Sequence, residues 1–170
     1  MTRRISYISI VIVMTGSVLM FLFYPNRPAL IFEDPETHRL LASLPVDEKD
    51  HFQIVFTHSV HLSDVCEEYV LKEGKIYPFQ LTYSDTAVGM PANAGDGESF
   101  SVKNGKYRIQ NLKGAYHGLN LTIGAIVANH RMIYQGKTYS LKNNFGPGKN
   151  ILITYKKISY WSLWRGGKLT

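Results

Sequence analysis

Cysteine occurs once in this chain, at Cys66, so no internal disulfide can form and the folded part must be held by packing. At a strand-like position such a lone cysteine packs as a small apolar group. Charge is missing from residues 5–24, which contain no Asp, Glu, Lys or Arg. Acidic residues are missing from residues 99–170: all thirteen Asp and Glu lie between Glu33 and Glu98. The first absence excludes a disulfide scaffold, the second excludes an ordinary soluble amino terminus, and the third leaves residues 99–170 with Lys and Arg alone.

The uncharged stretch is long enough to matter. Twenty residues at about 1.5 Å rise give a helix of about 30 Å, the thickness of a bilayer's hydrocarbon core. Arg3 and Arg4 precede it, and Pro25, Asn26, Arg27 and Pro28 follow. A cleaved signal peptide would have a shorter apolar region ending in small residues, whereas Thr15 and Ser17 lie in the middle of this one. The reading is a single transmembrane anchor. Arg3 and Arg4 on one side nearly balance Arg27 and Arg39 on the other, and the short doubly charged tail favours the cytoplasm. The chain then divides into a cytoplasmic tail (1–4), the anchor (5–24), a linker that becomes ordered (25–50), an extracytoplasmic β-domain (51–159) and an aromatic, basic carboxyl-terminal tail (160–170).

The twelve Lys and Arg of residues 99–170 suggest an anionic partner, lipid headgroups or wall polymers first for an anchored domain. The alternative is that a β-domain interleaves the two halves and neutralises much of this charge. Nucleic acid fits poorly, since the cations are spaced singly with no recognition motif around them.

Within the linker, residues 30–32 can form a short strand and residues 40–44 a turn of helix, while Pro25, Pro28 and Pro35 prevent anything longer. Beyond residue 50 the dominant period is two. Residues 52–60 place Phe52, Ile54, Phe56, His58 and Val60 on one face, and residues 65–71 alternate likewise. A turn over residues 61–64 would pair Val60 with Val65, His58 with Glu67, Phe56 with Tyr69 and Ile54 with Leu71. Asn104-Gly105 has the signature of a type I′ turn, pairing Val102 with Tyr107 and Phe100 with Ile109. Residues 119–127 read as a strand, residues 132–134 and 138–141 as a hairpin around Gln135, Gly136 and Lys137, and residues 151–158 as the last strand after a Gly-rich turn. Seven or more mostly antiparallel strands behind one membrane helix predict an all-β fold, a sandwich or a partly open barrel.

Two places can carry chemistry. The first is Thr57-His58-Ser59-Val60-His61 with Glu67 and Glu68. A carboxylate beside His58 can orient the imidazole as a base, with Ser59 or Ser84 as nucleophile. Against this, Ser59 projects from the opposite face to His58, and His58 and His61 point to opposite faces, so a regular strand cannot bring them to one metal. A half-buried His58 satisfied by Glu67 is the structural alternative. The second place is the loop from Tyr83 to Glu98, where Gly89, Gly95 and Gly97 allow unusual φ and Met90 and Pro91 offer apolar surface. Its acids, Asp85, Asp96 and Glu98, do not follow the calcium-loop order. It is either a contact for a ligand or partner, or a lid packed over one end of the barrel.

Phe56-Thr57-His58-Ser59-Val60, then Glu67, Glu68 and Tyr69, then Tyr83-Ser84 and Val88-Gly89-Met90-Pro91, resemble domain of unknown function family 1850 over roughly residues 52–155. Thr86-Ala87-Val88-Gly89 stands where the family usually has Gly-Ala-Gly before Met-Pro. The resemblance implies a small bacterial protein with an amino-terminal hydrophobic segment. It also implies a gene often beside TRAP (tripartite ATP-independent periplasmic) transporters of the TAXI class, and a domain outside the membrane. It implies no activity, metal or cofactor.

Three functions follow as expectations. The first is an anchored extracytoplasmic accessory protein contacting a transporter subunit or solute-binding protein through His58, Ser59, Glu67, Tyr83, Ser84, Gly89, Met90 and Pro91. The second is a small-ligand binder with its pocket near His58, Glu67 and Met90, and the third a hydrolase using His58 with Glu67. Separately, Trp161, Trp164, Arg165 and Lys168 mix aromatics and cations as a membrane interface requires. Otherwise Tyr160 to Trp164 would finish the last strand and the remainder fray.

Overall fold

Asn104-Gly105 sets its hairpin as its chemistry demands. Both residues take positive φ, 52° and 71°, and the ladder pairs Val102 with Tyr107 and Phe100 with Ile109. Gln135-Gly136 turns the same way between Tyr134 and Lys137. The computed structural model describes residues 2–86 and 89–170. In chain order it comprises α1 (Thr2–Phe23), β1 (Arg27–Glu33), β2 (Leu40–Pro45), β3 (His51–Thr57), β4 (Asp64–Lys72), β5 (Lys75–Tyr83), β6 (Ser99–Lys103) and β7 (Lys106–Gln110). Then follow β8 (Leu119–Thr122), β9 (Arg131–Tyr134), β10 (Lys137–Ser140), α2 (Leu141–Phe145), β11 (Asn150–Ile158) and α3 (Tyr160–Arg165).

The strands make two antiparallel sheets. The smaller has four strands in the order β2-β1-β11-β8 and the larger seven, β10-β9-β3-β4-β5-β7-β6. One apolar cluster fills the space between them. Leu30 and Phe32 of β1, Ile151 and Ile153 of β11, and Phe52, Leu71, Ile76 and Met132 of the larger sheet are all at most 1 % exposed. The chain is therefore all-β, and both sheets supply its main core. A second cluster, Val65, Tyr83 and Ile109 with Phe56, Leu81, Met90, Phe100 and Tyr107, lies on the larger sheet away from that core.

Residues 25–50 contribute more than a linker, because β1 is an inner strand of the smaller sheet. Residues 40–44 form strand β2 rather than a turn of helix: Ala42 and Leu44 face the core only when extended and paired with β1. Leu40 and Leu41 are good helix formers, but tertiary pairing overrides local propensity. The strand expected over residues 119–127 stops at Thr122. At Gly124 the chain doubles back so closely that a Cβ would lie 2.3 Å from the Ala128 carbonyl oxygen. After β10, Ser140 caps the short α2 by accepting from the Asn143 amide, so the Gly-rich turn begins later than the sequence suggests.

Charges of the two halves interleave. Lys149 lies 2.7 Å from Asp34, Lys156 3.0 Å from Glu33 and Arg131 2.6 Å from Asp64. The Lys149 ammonium holds the Asp34 carboxyl well below the usual carboxylate range.

The amino-terminal helix is apolar and open to its surroundings. Tyr7, Ile12, Val13, Met14 and Met20 are each more than 60 % exposed. It packs against α3. Among the described residues no helix is long and apolar enough to cross a membrane, and in α1 the described side chains begin at Tyr7, after Ile5 and Ser6 of the expected span.

Candidate functional site

β3 ends at Thr57, and residues 58–63 form the turn. The Ser63 carbonyl accepts from the His58 amide (2.8 Å), the His58 carbonyl accepts from the Leu62 amide (2.9 Å), and Leu62 takes φ 51°. The register is consequently Phe56 with Val65, Ile54 with Glu67 and Phe52 with Tyr69. This corrects the expected pairing of His58 with Glu67: the turn opens earlier, and Asp64 belongs to β4, where it accepts from Thr57 Oγ1 and Arg131. Strand faces survive, because the slip is by an even number of residues. The pairing on which a His58–Glu67 hydrolase would depend is absent. His58 and His61 do not diverge either, since outside the strand their rings stack at 5.5 Å. His61 Nδ1 lies 3.0 Å from Asp85, across to the start of the next loop. Among the described residues no three His, Cys, Asp or Glu side chains are placed to hold a metal ion.

That next loop is tied down. The Tyr83 ring is 1 % exposed, its hydroxyl donates to the Pro91 carbonyl, and burial first, then the neighbouring Tyr107, raises its pKa. Met90 packs on the second apolar cluster, covering sheet surface that the smaller sheet does not reach. Gly89 has φ 91°, which a side chain would strain. Ala87 and Val88 of the expected motif lie outside the described residues. Ser59 and Ser84 are exposed, one in the turn and one just after β5.

Glu67 occupies the seam between the two apolar clusters. It lies in the same row of β4 as the buried Val65, Tyr69 and Leu71, and Tyr69 donates to it at 2.8 Å. Burial, followed by the adjacent Glu67 charge, keeps the Tyr69 phenol protonated far above its ordinary range. Two adjoining cavities, of about 160 Å³ and 260 Å³, share Glu67, Tyr69 and Tyr116. Lys113 lines the first, and Leu119 and Leu121 of β8 line the second. Tyr116 is placed by a backbone bridge to Ile76, with bonds of 2.8 and 2.9 Å. Tyr116 and Lys113 escaped the sequence because they stand on an irregular segment far from Glu67 in the chain. The cleft brings two glutamates, Glu67 and Glu68, together with two phenols and Lys113, a set able to orient a polar ligand against apolar walls.

A different cluster gathers at the carboxyl terminus. Ser159 Oγ accepts from the Ser162 amide and starts α3. Tyr160 stacks on Phe21 at 4.9 Å and Trp161 lies 5.5 Å from Phe23. The Arg27 guanidinium covers the Tyr160 ring at 4.5 Å, and Arg165 reaches Trp161 at 5.9 Å. Trp164 is 76 % exposed. Residues 160–164 are thus a helix rather than the end of a strand. Nor does the remainder fray: the Gly167 carbonyl accepts from the Ser43 amide, Leu169 is buried, and Asn144 Oδ1 accepts from the Thr170 amide. Lys168 lies beside Ser43 in a short parallel bridge.

No curated protein matches this chain, and no solved structure matches it. A family model, described as Domain of unknown function (DUF1850), matches residues 52–141. That span holds the His58 turn, the Met90 loop and the Glu67 cleft, and it leaves out α1, β1, β2, β11 and α3. The match covers more than half of the sequence, and the chain belongs to the DUF1850 family.

Proposed function

We propose that this protein is a membrane-anchored extracytoplasmic accessory protein, a two-sheet β-sandwich tethered by α1 that contacts a transporter subunit or solute-binding protein. The carrying observation is α1 itself. Apolar side chains exposed along a helix, as from Tyr7 to Phe23, are costly in water and stable in lipid, and the helix packs on the domain through α3. The family resemblance supports the transporter neighbour.

The contact surface lies at the far end from the anchor. The Pro28 carbonyl accepts from the Val46 amide, so β2 ends beside the start of β1; β3 begins five residues later at His51 and runs away from α1. The His58 turn is delivered at that distant end. Val60 and Leu62 are 62 % and 70 % exposed there, and Ile126, on the loop that leads into β9 beside β3, is 90 % exposed. Apolar side chains exposed to this degree suit a protein partner. Tagged full-length protein, taken from host membranes in mild detergent, is expected to bring transporter subunits with it. A Leu62→Asp, Ile126→Asp variant of unchanged thermal stability should lose them. Recovery of no such subunit by the unaltered protein sinks the proposal.

The Glu67 cleft favours a second reading, a small-ligand-binding β-domain. In a thermal-shift series with amino acids and organic acids, a binder should stabilise the unaltered protein and leave Glu67→Ala unmoved. A series that moves neither protein removes this reading.

A further inference from the structure

A groove of about 520 Å³ runs between the edge of β2, α3 and the returning tail, within the roughly 300–1,000 Å³ usual for ligand sites. Leu44, Pro45, Leu163 and Leu169 give it apolar walls, Trp164 stands at its side, and among the described residues Lys168 is its one charged lining residue. We propose that this groove holds an acyl chain of one anionic phospholipid, whose headgroup meets Lys168 and Arg165. The proposal rests on the anchored reading of α1 for the lipid's origin, because α3 is stacked on Phe21 and Phe23 at the end of that helix.

Three observations select a lipid over a peptide. The edge of β2 is already used, with the Ser43 amide bonded to the Gly167 carbonyl, which closes the ladder an added strand would need there. The walls are apolar, as an occupant without backbone polar groups requires. The charge is of one sign: no acidic side chain lines the groove, and residues 99–170 contain none.

Both tryptophans of the chain lie on α3, Trp164 lining the groove and Trp161 against Phe23 of α1, so saturation at one lipid separates the groove from bulk lipid around the helix. Full-length protein in detergent is titrated with phosphatidylglycerol brominated on one acyl chain. Quenching is expected to saturate at one lipid per chain, with the matching phosphatidylcholine binding about fivefold more weakly or worse. Arg165→Glu with Lys168→Glu is expected to erase that headgroup preference. Quenching that grows in proportion to lipid without saturating, or equal binding of the two headgroups, overturns the proposal. A copurified polypeptide in place of lipid, seen by native mass spectrometry, also overturns it. Alkaline carbonate extraction reads the anchor separately. A chain released by carbonate that still binds one lipid refutes the anchor alone, and a retained chain without saturable binding refutes the groove alone.

Discussion

A fragment trimmed to residues 52–141 will show no cooperative unfolding transition, whereas residues 25–170 will. The family match ends where the smaller sheet is still missing β1, β2 and β11. Leu30, Phe32, Ile151 and Ile153 are all fully buried in the main core and would be lost together. Each buried side chain of this size is worth about 1.5–3 kcal/mol, against a whole-domain stability of about 5–15 kcal/mol. Leu71, Ile76 and Met132, now fully buried, would be left facing water. Near-ultraviolet circular dichroism and a thermal melt decide the matter: fixed aromatic signals and a sharp transition in the short fragment would show that the larger sheet folds alone.

The second large effect is expected from Phe32→Ala. Phe32 is 0 % exposed and stacks on Phe145 of α2 at 5.3 Å, joining the inner strand of the smaller sheet to the helix that precedes β11. Truncating a buried phenylalanine costs about 3–5 kcal/mol, which lowers Tm by roughly 10 °C for a domain of this size. Phe100→Ala removes the same atoms from the second cluster, where the ring is only partly buried, and should shift Tm by less than half as much. Scanning calorimetry of both variants tests this; equal shifts would mean that the two clusters carry stability alike.

Period-two alternation and turn chemistry were legible in the sequence, and both act locally. Asn104-Gly105 specified register to the residue, because its two positive φ angles leave one way to fold back. The β3–β4 hairpin carries no such pair. Its six-residue turn is closed by His58, Leu62 and Ser63 backbone groups, which propensity does not reveal, so the faces were readable and the partners were not. The cleft was half legible: Glu67 and Tyr69 stand out as a carboxylate and phenol on one strand face, whereas Tyr116 reaches them through a bridge to Ile76. The stacking of α3 on α1 joins residues from opposite ends of the chain, beyond any window of local pattern.

The β1–β11 ladder pairs Arg27 with Ile158 and Glu33 with Leu152, so the first and last strands of the domain are neighbours. Neighbouring strands of the larger sheet include three that are consecutive, β3, β4 and β5, and these can pair while the chain is still being made. The smaller sheet cannot close until β11 has left the ribosome, and the loop it closes is among the longest the chain permits. β1 therefore waits for β11, and the smaller sheet is completed after the hairpins of the larger one.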